Sequence, residues 1–264
     1  MKKIFLTGSA ALLVFAGCFL AGHDADPAPP IPGAPLKIGV EADVPPFSYV
    51  GARGEFTGFD VEFAREVCRG LHRKCRIEPM AFAALLPSLK AGELDLVVAG
   101  LAETKKRRVD FLFSEPYYRS GSFFVTTQKR FEHFTPDRIP ELVIGVQAGK
   151  LQDEYVAEHY VPRGARKKTY SSFNALVDAL LSGEVNIIFI DSVPGYTLLN
   201  SPRGEALFIG GRAENVDAEF TACRVVAKRE NRALIEGVNR TLHKLQSNGK
   251  FQDLIIRFLP FFSF

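Results

Sequence analysis

A spacing pattern that occurs twice limits this chain more than any other feature. Phe82, Leu85, Leu89, Gly92, Glu93 and Asp95 are followed 91 residues later by Phe173, Leu176, Leu180, Gly183, Glu184 and Asn186. Each copy reads as a helix with one apolar face, a Gly-Glu turn and a buried strand. The strands that open the two halves also match: Leu36-Lys37-Ile38-Gly39-Val40 and Leu142-Val143-Ile144-Gly145-Val146. Strands and helices alternate between these anchors. Asp60 is placed to cap a helix with Phe63, Ala64, Val67 and Leu71 on its apolar face, Arg76 to Glu78 is extended, and Leu94 to Ala99 is a buried strand. Alternation of this kind makes an α/β protein. The duplication makes it two similar lobes of about 100 residues each, a comfortable size for separate cores. Open α/β sheets bind ligands beyond the carboxyl ends of their strands, so two such edges face to face enclose a cleft.

The N-terminus has a different composition. Lys2 and Lys3 precede an apolar run, Ile4 to Leu13, that is too short to span a bilayer and reads as an export signal over residues 1–17. Phe15-Ala16-Gly17-Cys18 resembles a bacterial lipoprotein cleavage box, which predicts lipid attachment at Cys18, although the box usually has Leu where Phe15 stands. The rest of segment 18–35 is a tether rich in Ala and Pro, with Pro27, Pro29, Pro30, Pro32 and Pro35. Lobe 1 is expected over 36–120, lobe 2 over 121–221, and a return into lobe 1 over 222–264. Charge argues against nucleic acid as a partner: 33 basic and 30 acidic residues, with two of the lysines in the leader, leave about +1. The five histidines are scattered without metal-ligand spacing, and nothing implies a cofactor. Phe258 to Phe264 is an unusually apolar tail.

Several segments, in this order, carry a resemblance: Pro45-Pro46-Phe47, Gly58-Phe59-Asp60-Val61-Glu62, Leu86 to Asp95, Thr104-Lys105-Lys106-Arg107 and Phe113 to Tyr118. Gly145 to Gly149, Phe189-Ile190-Asp191 and Asn248-Gly249-Lys250-Phe251 follow. In order and spacing the chain resembles the amino-acid-binding (family 3) solute-binding proteins of bacterial ABC importers, from about Leu36 to Leu259. The resemblance implies a two-lobed type II periplasmic-binding-protein fold with the ligand in the cleft, a permease of the inner membrane as partner, and a place in the periplasm or cell envelope. It also implies a disulfide between Cys68 and Cys75, which the histidine- and basic-amino-acid-binding branch has at the matching place. Cys223, in an apolar stretch, is expected as a buried free thiol.

The same resemblance implies a site. Arg107 would hold the carboxylate of a free amino acid with two parallel hydrogen bonds. Asp191, at the end of the apolar run Ile187 to Ile190, would hold its ammonium from the other lobe. Phe82 matches an aromatic that packs on the ligand side chain, and Glu41 and Gln147 match positions near that side chain. Gly149, Lys150 and Gln152 match the loop that starts a helix of the second lobe, where backbone N–H groups can meet an anion. Gly100 completes the set. There are departures: Ala102 stands where relatives often have Ser or Thr, Glu103 replaces an apolar residue, Val44 replaces an aromatic and Leu151 replaces a Thr. Glu41 with Gln147 suggests a polar ligand, with arginine, lysine or histidine ahead of glutamine. Two other readings use the same fold: a cyclohexadienyl-dehydratase-like enzyme, for which no His, Cys or Ser constellation is visible, and a sensor that signals to a separate partner.

Overall fold

The computed structural model describes residues 34–212 and 221–260. The leader, Cys18, most of the tether and the last four residues of the apolar tail lie outside the described residues. In chain order the elements are β1 (Leu36–Glu41), β2 (Tyr49–Val50), β3 (Phe56–Thr57), α1 (Phe59–Gly70), β4 (Cys75–Met80), α2 (Phe82–Ala91), β5 (Leu96–Ala102), β6 (Phe111–Arg119) and β7 (Ser122–Thr126). They continue with β8 (Val143–Gln147), α3 (Leu151–His159), β9 (Arg166–Tyr170), α4 (Phe173–Leu181), β10 (Ile187–Asp191), α5 (Ser192–Leu199), β11 (Phe208–Arg212), β12 (Ala222–Lys228), α6 (Arg232–Ser247) and α7 (Lys250–Phe258).

Two five-stranded sheets organise these elements, one in each lobe. The first runs β4-β1-β5-β12-β6 and the second β9-β8-β10-β7-β11. In both, the first three strands are parallel and the fourth is antiparallel to the third. The path β1-α1-β4-α2-β5 is thus repeated by β8-α3-β9-α4-β10. Ser120 and Gly121 carry the chain from the first sheet to the second, and β12 belongs to the first sheet again.

Side-chain chemistry accounts for the repeat. Asp95 Oδ2 accepts from Lys37 N at 2.8 Å, and Asn186 Oδ1 accepts from Val143 N at 2.9 Å. In each lobe the last position of the repeated pattern therefore ties its own turn to the opening strand. Gly39 and Gly145 let a helix lie close on the strand. A Cβ on Gly39 would stand 2.9 Å from Leu85 Cδ2 of α2, and one on Gly145 would stand 2.8 Å from Leu176 Cδ1 of α4. Gly92 (φ 79°) and Gly183 (φ 78°) take the left-handed conformation just past α2 and α4, which glycine adopts without a Cβ penalty. Ser172 caps α4 by accepting from Ala175 N at 3.2 Å.

Both faces of each sheet are covered, which explains the continuous apolar runs in β5 and β10. Leu96 and Val98 face a cluster with α1, α6 and α7, whereas Val97 and Ala99 face α2. In the second sheet Ile187 and Phe189 pack with Val156 of α3, and Ile188 and Ile190 pack with α4. Of the apolar tail, Phe258 and Leu259 are buried in the core. Cys68 and Cys75 form a disulfide between the end of α1 and the start of β4, with Cα atoms 6.1 Å apart. Cys223 is a buried free thiol.

One expectation needs correction. Asp60 does not cap α1, whose N-cap residue is Gly58. Asp60 lies in the first turn, buried, and its Oδ1 accepts from Tyr117 Oη at 2.8 Å. Tyr117 Oη in turn accepts from Gly100 N at 3.1 Å. A carboxylate so far from water is costly to ionise, and burial pushes the Asp60 pKa up to about 7.

Candidate functional site

The site lies where the carboxyl ends of the parallel strands face each other across the cleft. Glu41 ends β1, Gln147 ends β8, Ala102 ends β5 and Asp191 ends β10. Glu41 and Gln147 hold equivalent positions in the two copies of the fold, and they meet: Gln147 Nε2 donates to Glu41 Oε1 at 2.6 Å. Gly100 and Asp191, 91 residues apart like the rest of the repeat, line one cavity.

Arg107 follows β5, and Thr104 Oγ1 accepts from its backbone N–H at 3.2 Å. Its Nη1 donates to Ala102 O at 2.8 Å, and its Nη2 reaches across the cleft to Gly149 O at 3.0 Å. Burial weakens the guanidinium's hold on its proton and Glu154 works against this, but an arginine stays charged at neutral pH. Asp191 occupies the N-cap position of α5 without making a side-chain cap. Its Oδ1 instead accepts from Gln152 Nε2 at 2.9 Å, and its side chain is 28% exposed. Burial pushes its carboxyl up, while Lys150 and Gln152 pull the other way. Arg107 and Asp191 line one cavity with Phe82, Gly100 and Ala102.

The sequence-based expectation for Lys150 concerned the backbone of its loop, and the structure adds the course of its side chain. The residue precedes α3 in the loop read as an anion cradle. Its ammonium projects into the cleft, 2.6 Å from Glu41 Oε2, 3.9 Å from the centroid of the Phe82 ring and 4.0 Å from Asp191 Oδ2. Burial alone would lower its pKa, but Glu41 and then Asp191 outweigh burial and hold the ammonium protonated. Burial pushes the Glu41 carboxyl up, and Lys150 pulls against it. Lys150 lines two cavities of about 20 Å³, each with room for about one water. One is the Arg107–Asp191 cavity and the other is lined by Val44, Gln147, Gln152 and Asp191.

The departures have structural places. Ala102 is buried and offers its carbonyl to Arg107. Glu103 pairs with Arg108 Nε at 2.8 Å and Arg224 Nε at 3.3 Å, which accounts for a charge at that position. Val44 is buried beside Gln147, and Leu151 lines the Arg107 cavity. Sequence reasoning missed Ser120 and Cys223, which also line that cavity. Ser120 lies at the passage between lobes, where its N–H donates to Thr221 O at 2.8 Å. That position was visible as a lobe boundary. Among the described residues no group of His, Cys, Asp and Glu could hold a metal ion, and no helix is long and apolar enough to cross a membrane.

Residues 36–261 match the family model for bacterial extracellular solute-binding proteins, family 3. The chain belongs to this family. Among its curated relatives is the histidine-binding periplasmic protein of Salmonella typhimurium, 26% identical over 228 residues, with 86% of this chain and 88% of that protein aligned. Another is the arginine-binding periplasmic protein of Mannheimia haemolytica, 28% identical over 255 residues and covering 96% and 97% of the two chains. Among solved structures, a mutant of ArgBP from T. maritima superposes with a TM-score of 0.76 at 26% identity, covering 85% of this chain and 95% of that one. The relatives are named as periplasmic binding proteins rather than enzymes.

Proposed function

We propose that this family 3 protein is an extracytoplasmic receptor that captures a polar amino acid by closing its two lobes and delivers it to an ABC-type importer without altering it. One observation carries the reading: a guanidinium and a carboxylate, Arg107 and Asp191, are set on opposite lobes around one cavity floored by Phe82. A free amino acid presents the complementary charges. Arg107 takes the carboxylate, with the Gly100 to Ala102 backbone beside it. Asp191, steadied by Gln152, takes the ammonium. Phe82 packs on the side chain, and Glu41, Val44 and Gln147 face its far end, with Gly149 and Lys150 closing from the second lobe.

Each lobe alone satisfies one end of such a ligand. Only the closed form satisfies both, so the ligand favours closure by its differential contacts. The bonds from Arg107 to Gly149 and from Gln147 to Glu41 already join the lobes and belong to that form. Support for a receptor over an enzyme comes from the relatives, which are named as binding proteins. Support for export comes from the basic-apolar leader, and Cys18 offers a thiol for lipid anchoring behind a Pro-rich tether.

A thermal-shift screen tests this reading on protein refolded to release any co-purified ligand, against all common amino acids and prephenate. A ligand bound only by the folded state raises the midpoint, by about 2.7 kcal/mol of stability at a hundredfold excess over Kd. A shift with one amino acid or a small group is expected. No shift with any amino acid, or turnover of prephenate, would overturn the assignment.

A further inference from the structure

Two carboxylates and an aromatic face converging on one point form a seat for a cation. Here the seat is made by Glu41, Asp191 and Phe82, and the chain's own Lys150 ammonium fills it, 2.6 Å, 4.0 Å and 3.9 Å from the three. We infer that Lys150 is a tethered stand-in for a cationic side chain and so sets specificity: the cleft selects amino acids with uncharged polar side chains and rejects arginine, lysine and histidine. This rests on the amino-acid reading of the site and departs from the histidine- and arginine-binding relatives named above.

Charge balance carries the argument. Arg107 and Asp191 together match a zwitterion. Glu41 and Lys150 then neutralise each other, with side chains only 5% and 12% exposed. A ligand with an uncharged side chain leaves every charge in the closed cleft paired. A cationic side chain must either lie against the Lys150 ammonium or expel it from Glu41. The first places like charges together away from water. The second requires the ligand to outcompete a cation held at an effective concentration in the millimolar range or above by a short tether. An anionic side chain meets Glu41. Rejection by an unpaired or like charge is a recognised route to specificity. The polar side chains beside the second cavity are Gln147, which spends one amide N–H on Glu41, and Gln152, whose amide nitrogen already serves Ser122 and Asp191 but whose carbonyl oxygen is an acceptor; a second N–H and an amide oxygen suit an amide or hydroxyl partner.

The test is isothermal titration of the purified full chain and of Lys150→Met with glutamine, asparagine, serine, arginine, lysine and histidine. The wild type is expected to bind an uncharged amino acid at least about tenfold more tightly than any basic one, and Lys150→Met to gain about tenfold or more for arginine by freeing Glu41. The double variant Glu41→Gln/Lys150→Met leaves no unpaired charge, guards against misfolding of the single variant, and is expected to lose that gain. The inference is overturned if the wild type prefers a basic amino acid, or if Lys150→Met leaves the ratio of arginine to glutamine affinity unchanged while binding persists. Absence of binding to any amino acid by all three proteins sinks the amino-acid reading itself, and the inference with it.

Discussion

Replacing Arg107 with Ala tests the site most directly, because this side chain would serve both recognition and closure. A guanidinium has five N–H groups. One is used on Ala102 O in its own lobe and one on Gly149 O in the other, which leaves three for a ligand carboxylate. Truncating one partner of a charge pair in a closed site costs about 2–5 kcal/mol. The bond to Gly149 stabilises only the closed form, and a hydrogen bond from a charged donor contributes about 1.5–3 kcal/mol. The two losses overlap, because the open form keeps neither. A floor of about 3 kcal/mol is therefore expected, an affinity loss of about 150-fold. Titration calorimetry with the amino acid found in the screen measures it directly. The unliganded variant is expected to melt within about 4 °C of the wild type, because it loses one local hydrogen bond and no core contact. Arg107→Lys keeps the charge but not the fork, and is expected to fall between the two. A variant that folds normally and binds within about threefold of the wild type would refute the placement of the carboxylate at Arg107.

Two further outcomes concern the scaffold. The Cys68–Cys75 disulfide, with partners 7 residues apart, restrains the unfolded chain by about 2.4 kcal/mol. Dithiothreitol, or the Cys68→Ser/Cys75→Ser variant, is expected to lower the melting temperature by about 5–10 °C, and a shift below about 1 °C would show that the crosslink is energetically idle. Asp60, held near pKa 7 by burial, binds its proton more tightly folded than unfolded. Between about pH 4 and pH 7 the native state carries the extra proton, so stability falls as pH rises through that window, by at most about 1.4 kcal/mol per unit, and levels off above it. Asp60→Asn can still accept from Tyr117 and is expected to remove that slope from denaturant-unfolding measurements. An unchanged slope would mean that Asp60 stays ionised in the fold.

The architecture was legible because it is written twice. A helix, a glycine that ends it and a polar residue that ties the turn to the first strand recur at one spacing, and each has a local cause. Asp95 and Asn186 differ in charge yet make the same bond to a strand N–H, so the pattern survives the substitution. Asp60 shows where local reasoning stops. A carboxylate in the first turn of a helix reads as a cap. Only Tyr117, 57 residues away, makes it a buried acceptor instead.

Lys150 exposes the same limit within the site, and there it bears on function. Sequence spacing places its Cα in the loop before α3, where backbone N–H groups suit an anion. A lysine side chain has four rotatable carbons, and its direction follows whatever charge lies within reach. Glu41, 109 residues earlier, and Asp191, 41 residues later, supply that charge from opposite lobes. The duplication explains why they are available. Equivalent strand ends of two similar lobes face one cleft, so Glu41 meets its counterpart Gln147 and Asp191 shares a cavity with its counterpart Gly100. Symmetric halves would present matching groups to a ligand that has unlike ends. The asymmetry a zwitterion needs therefore arises where the copies have diverged, a carboxylate against an amide and a carboxylate against a glycine. On the proposed zwitterion reading, the lysine carried by one lobe would leave Asp191 the more available of the two carboxylates, because its ammonium lies 2.6 Å from Glu41 and 4.0 Å from Asp191.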